Sequence, residues 1–215
     1  AQEIEFYRTH GWWKTSRILS ESVLDAAFVG VARYFNGERD WILPPTGGFS
    51  DWRPGDPEMV RNAEIVALQN RQLKELMLYP VLGAIAACLA GTSSIRYFAD
   101  SLVYKPGNLA GNESVVGWHT DLSYWRTCTS ESMLTVWIPF QDCTEEMGPI
   151  LYLDGSHQWP GTMDLRTFNC RDLGDLEQRI LPAGQSMVKV PMTLRRGEVC
   201  FHHCRTVHGS GPNLT

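Results

Sequence analysis

No stretch of this chain stays apolar long enough to cross a bilayer as one helix. Spanning needs about 18–20 such residues, and the longest candidate, VLGAIAACLAG at 81–91, is predicted to be a buried helix. Basic clusters are missing too. The net charge is −5 and the densest basic run is LRR at 194–196, so nothing here could cover a phosphate backbone, which argues against nucleic acid as a partner. The opening AQEIEFYRTHGWW has neither the basic start nor the apolar middle of a secretory signal. No internal repeat or low-complexity segment is present. The six cysteines (Cys88, Cys128, Cys143, Cys170, Cys200 and Cys204) are scattered, as expected of reduced, mostly buried thiols in a cytoplasmic protein. What remains is an ordinary globular composition over 215 residues, enough for one substantial core and a single domain spanning 1–215.

The N-terminal third reads as helical. QEIEFYRTHG places Ile4 and Tyr7 on one face and Gly11 as a stop. Ser20 is set to cap a second helix carrying Val23, Leu24, Ala27, Phe28 and Val31 at three- to four-residue spacing. The loop at 36–56, rich in Pro, Gly and Trp, is long enough to suggest a lid. A third helix is expected over 62–79, with Pro80 opening a fourth. From Ser94 the pattern becomes short β-branched and aromatic runs broken by Gly and Pro: 94–107, 132–143, 148–157, 186–192 and 197–211. Such strands after a helical start predict a β-sandwich or barrel with helices packed on one sheet.

VVGWHTDLSYW (115–125) carries the chemistry. It sets His119 and Asp121 in apolar company, where both are costly to bury without partners. If 115–121 is a strand, the two project from one face about 6.6–7 Å apart at their backbones, a spacing that lets both reach one ion. His208 in TVHGSGPN, 87 residues beyond Asp121, is the best candidate for a third ligand. Two imidazoles and a carboxylate on one side of an ion form the facial set of non-haem Fe(II) oxygenases. Spacing alone leaves a hydrogen-bonded pair and a metal site both open.

Three ordered motifs narrow the choice: GWHTDLSYW, LTVWIPFQDCTEEMGPILYLDGSH (134–157) and RRGEVCFHHCRTVHGSGPN (195–213). With EIEFYRTHGWW and SLVYKPG they make the chain resemble the phytanoyl-CoA dioxygenase family of Fe(II)/2-oxoglutarate oxygenases over nearly its whole length. The resemblance implies a mainly β fold with flanking helices, a double-stranded β-helix (jelly-roll or cupin-like) barrel with the N-terminal helices on one sheet. It also implies iron ligands His119, Asp121 and His208, with Trp137 and Ser210 lining the 2-oxoglutarate site. The implied reaction uses O2 and 2-oxoglutarate, with ascorbate stimulatory, to hydroxylate an unactivated C–H bond of a small molecule, releasing succinate and CO2. Related halogenases leave the Asp121 position small, so its carboxylate argues for hydroxylation, or for desaturation or ring chemistry. In the family an arginine about ten residues past the distal His grips the far carboxylate of 2-oxoglutarate. The sequence ends at Thr215, seven residues past His208, so the final strand and that arginine are expected outside it. Lys105, Arg126 and Arg205 are the cations that could substitute.

Two other classes stay in view: a non-catalytic barrel binding a metal or small ligand, and a zinc hydrolase using the same three ligands. CFHHC (200–204) imitates a zinc motif. Adjacent strand residues face opposite ways, however, so Cys200, His202, His203 and Cys204 read as packing and hydrogen-bonding residues of the core.

Overall fold

A computed structural model describes residues 1–44, 50–107 and 113–215. Its helical start follows the sequence punctuation. α1 (Gln2–His10) ends where Gly11 turns left-handed at φ 77°, a state most L side chains resist. α2 (Glu21–Phe35) begins at Ser20, whose Oγ accepts the Val23 N–H at 3.4 Å. The described ends of the 36–56 loop are tied back to α2, since Asp51 accepts from the Tyr34 hydroxyl at 2.9 Å and pairs with Arg39 at 3.1 Å. Residues 45–49 of the expected lid lie outside the described residues.

The helix expected over 62–79 is shorter than its periodicity suggested. Asn70 caps α3 (Arg71–Met77), its Oδ1 accepting the Leu73 N–H at 3.0 Å. Arg61–Glu64 forms strand β2 instead and pairs antiparallel with β3 (Ser101–Tyr104). That pairing buries Ala63 and Leu102 with Tyr34 and Leu73, which outweighs local helix propensity. α4 (Pro80–Ala90) starts at its proline as expected. Together, 71–90 is long and apolar enough by composition to cross a membrane, but the chain breaks it into two helices at Leu78–Tyr79. α4 is also less covered than expected: Leu82 and Leu89 are buried, whereas Cys88 is exposed. All six thiols are free.

Two antiparallel sheets form the core. One has the order β1 (Trp12–Lys14), β8 (Cys200–His203), β5 (Leu134–Trp137). The other runs β4 (Val116–His119), β9 (His208–Ser210), β6 (Leu151–Leu153), β7 (Lys189–Pro191). Strand alternation divides each sheet into an inner and an outer face. On the first sheet, Val199 and Phe201 point outward and are covered by Tyr7 of α1, Leu24 and Ala27 of α2, Leu76 of α3, and Leu82 and Leu89 of α4. Burying a side chain such as Phe201 contributes about 1.5–3 kcal/mol. On the second, Trp118, Leu153 and Val207 face outward and pack with Leu176 of α5 (Leu173–Ile180), a helix the sequence reading did not include. Between the sheets, Trp12, Tyr152 and Cys200 meet from opposite sides, with Trp137 against them. The expected plan, a β core with the N-terminal helices on one sheet, is the one observed.

Candidate metal centre

Register builds the site. On the second sheet, His119 lies directly opposite His208, and His208 directly opposite Tyr152. Residues paired in this way share a face, so His119, His208 and Tyr152 form one row pointing inward. On the first sheet, Trp12 pairs with His202 and His202 with Thr135, a second inward row that meets the first. Gly209 lets β9 close on β4, since a Cβ there would crowd the Val116 carbonyl, and Gly117 lets the segment at Thr167 close on β4, since a Cβ there would meet the Thr167 carbonyl.

Asp121 reaches this space from just beyond β4. The strand ends at His119, two residues earlier than expected, and Asp121 opens a 3-10 turn, Asp121–Ser123. Thr120 remains extended at φ −120° and ψ 142°, so alternation carries one residue past the ladder and keeps Asp121 on the His119 side. One donor atom from each of His119, Asp121 and His208 lies within 4.8 Å of the others.

The protonation pattern suits a cation. His119 Nδ1 sits 2.8 Å from the Gly117 carbonyl and His208 Nδ1 2.9 Å from that of Thr206. A carbonyl only accepts, so each Nδ1 carries the hydrogen and each Nε2 offers a lone pair. Burial also lowers both imidazole pKa values; for His208 the neighbouring His119 adds to that effect. Burial on its own would raise the Asp121 pKa, but His208 beside it and the hydrogen bond from His202 bring it well below the ordinary carboxyl range. Two neutral imidazoles and an ionised carboxylate fit a divalent first-row metal, and this facial set suits Fe(II).

Tyr124 and Phe168 stand edge-on to His119, with ring centroids at 6.0 and 5.1 Å. Ser210, in the inward register two residues past His208, lies 2.8 Å from Lys105 Nζ, and Lys105 also donates to the Gly148 carbonyl at 2.9 Å and to that of Gly211. Burial lowers the Lys105 amine to about 8. Trp137 is half-buried on β5 opposite Cys200. Of the other candidate cations, Arg205 pairs with Glu131 at 3.1 Å and Arg126 with Asp164. Lys105 has only neutral oxygens as hydrogen-bond partners among the described residues.

The sequence reading placed His202 in the core with hydrogen bonds, and there it sits, 1% exposed. It missed that one of its partners is Asp121, at 3.0 Å. Thr135 and Tyr152 were missed as well. Period-two alternation could have turned Thr135 inward with Trp137, but nothing local connects these residues to Asp121.

These features define a double-stranded β-helix with a cluster of two histidines and one carboxylate between its sheets that could hold a metal ion. A profile of the family described as Phytanoyl-CoA dioxygenase (PhyH) matches residues 53–215. The chain belongs to that family. A curated relative, the probable alpha-ketoglutarate-dependent hypophosphite dioxygenase of Stutzerimonas stutzeri, is 28% identical over 126 residues, which are 56% of this chain and 41% of the relative. The chain therefore matches less than half the length of that relative. Among solved structures, the non-heme alpha ketoglutarate dependent carbocyclase SnoK from nogalamycin biosynthesis has a TM-score of 0.71 at 24% identity, covering 100% of this chain and 78% of that one. EctD from S. alaskensis, solved with 2-oxoglutarate and 5-hydroxyectoine, has a TM-score of 0.71 at 21% identity, covering 100% of this chain and 71% of its own. The chain shares its fold with both structures.

Proposed function

We propose that residues 1–215 belong to one oxygenase domain, that of an Fe(II)- and 2-oxoglutarate-dependent dioxygenase that hydroxylates an unactivated C–H bond of a small organic metabolite. The observation that carries this is the convergence of the His119, Asp121 and His208 donors within 4.8 Å. Family membership and the activity for which the hypophosphite relative is named support it. Iron held by His119, Asp121 and His208 would supply the activation of O2, with 2-oxoglutarate as the cosubstrate that yields succinate and CO2 and ascorbate as the reductant.

The chain's own residues hold and orient. Three protein donors on one side of the metal leave room for a chelating cosubstrate and oxygen. Lys105 and Ser210 are positioned to receive the far carboxylate of 2-oxoglutarate, and Trp137 to wall its site. Tyr124 and Phe168 shield the edge of His119. The Asp121 carboxylate keeps its coordination position from chloride, favouring hydroxylation over halogenation; desaturation and ring chemistry use the same site. The six free thiols favour a cytoplasmic setting.

The test loads the protein with Fe(II) anaerobically and titrates 2-oxoglutarate while following the metal-to-cosubstrate charge-transfer absorption. Candidate metabolites are then screened by mass spectrometry for a gain of one oxygen matched by succinate. Absence of both the absorption and succinate would reject this reading in favour of a binding barrel, and hydrolysis without O2 uptake would favour a zinc hydrolase.

A further inference from the structure

Asp121 is held by more than its backbone. Its Oδ1 faces His208 Nε2 at 3.6 Å. Its Oδ2 turns the other way and receives two hydrogen bonds, from Thr135 Oγ1 at 2.6 Å and from His202 Nε2 at 3.0 Å. His202 is engaged on both nitrogens, with Nδ1 2.9 Å from the Tyr152 hydroxyl. That hydroxyl is 3.0 Å from Cys200 Sγ. Tyr152, Cys200 and His202 are all at most 1% exposed.

The bond directions follow from an ionised Asp121 beside a neutral His202 ring. An ionised carboxylate only accepts, so His202 Nε2 is the N–H. In a neutral imidazole Nδ1 is then the acceptor, so Tyr152 O–H donates to it, and the phenol oxygen accepts from the Cys200 thiol. The chain reads Cys200 to Tyr152 to His202 to Asp121, with no member left unmatched. Two donors on Oδ2 occupy its two lone pairs, and only Oδ1 is free to face the imidazoles.

We propose that His202, oriented by Tyr152 and assisted by Thr135, is a positioning residue that fixes Asp121 as a one-oxygen metal ligand. A carboxylate free to rotate could bind through both oxygens and take a coordination position that a chelating cosubstrate and O2 require. The inference rests on the metal-site reading above and assigns a role to three residues from the facing sheet and β6. Partners that orient a ligand in this manner typically change metal affinity by about 10- to 100-fold.

Three variants and two readouts test it. H202L removes the donor to Oδ2, H202Q keeps an N–H in reach of it, and T135V removes the second donor while leaving the imidazole in place. Metal affinity is measured by Co(II) titration of the purified chain, and coordination by the intensity and position of the Co(II) d–d bands. H202L is expected to lose about 10- to 100-fold in affinity with altered bands, T135V to lose less, and H202Q to recover most of both; a merely structural His202 would not move the bands. Thermal melts of the metal-free proteins identify any variant that has lost its fold. If H202L does, T135V carries the test with Y152F, which should shift the bands in the same direction. Wild-type affinity and bands in every folded variant would overturn the inference and leave the metal site standing. A wild-type chain that binds no metal would remove the site reading itself, and the inference with it.

Discussion

Strand β8 has two faces that do different work. Inward, Cys200 and His202 belong to a polar chain that ends on the Asp121 carboxylate. Outward, Phe201 is sealed beneath the N-terminal helices, and beside it His203 lies near Tyr7 and His157. His202 and His203 are neighbours in sequence, yet one is matched on both nitrogens in the site while burial, with His157 alongside, pushes the other down to about 4. A single strand thus carries chemistry on one side and folding on the other, and the two should be separable by mutation.

The largest effect is expected on the inner side. Replacing His119, Asp121 or His208 with Ala should lower iron affinity by more than about a hundredfold, beyond what partners of ligands typically contribute, and abolish turnover. Stability of the metal-free chain should change little or improve, because buried polar groups converging without a metal are costly. Equilibrium dialysis against Fe(II) alongside urea unfolding checks both halves; wild-type iron binding in all three variants would refute the ligand set.

F201A is the outer counterpart. It should cost about 3–5 kcal/mol of stability while the surviving folded protein keeps its metal affinity. Urea unfolding with a Co(II) titration of the same sample separates the two faces, and equal damage to both would break the comparison.

K105M sharpens the inner side at its cosubstrate end. Losing a charge-assisted contact should weaken 2-oxoglutarate by about 1.5–3 kcal/mol, or ten- to a hundredfold, with iron affinity retained. The amine is cationic only below its pKa of about 8, so wild-type affinity should decline as pH rises past about 8 while K105M stays flat. Titrations at the charge-transfer band across pH 6.5–9.5 would show a parallel decline in both proteins if Lys105 had no part.

The smallest effect belongs to His203. Its folded-state pKa lies near 4 against an ordinary 6.5, so between those values the unfolded chain binds more protons and stability falls as pH is lowered through that window. H203Q should flatten this acid limb and leave neutral-pH stability and turnover near wild type. An unchanged limb would mean that other groups dominate it.

Much of this was legible beforehand. Ser20, Gly11 and Pro80 announce helix ends because capping and backbone freedom are local properties. His119 and Asp121 could be grouped because strand alternation is local too, and it survives one residue past the end of β4. The ordered motifs supplied His208. The helix expected over 62–79 failed because its first residues found a partner in β3, and pairing across 40 residues leaves no trace in periodicity.

The amino-acid sequence by itself determined the helix boundaries at capped positions, the alternation of the strands, and the three residues able to meet on a metal. The helix ends and the alternation follow from interactions reaching only a few residues, while His208 was supplied by the order of the motifs. Tertiary structure alone decided that His119 and His208 stand opposite each other, that Thr135 and His202 close on the far oxygen of Asp121, and that Tyr152 holds His202. Each of these depends on antiparallel register and on the packing of two sheets face to face, which set His119 beside His208 from 89 positions away, and a carboxylate's orientation is set by whatever the facing sheet presents to it.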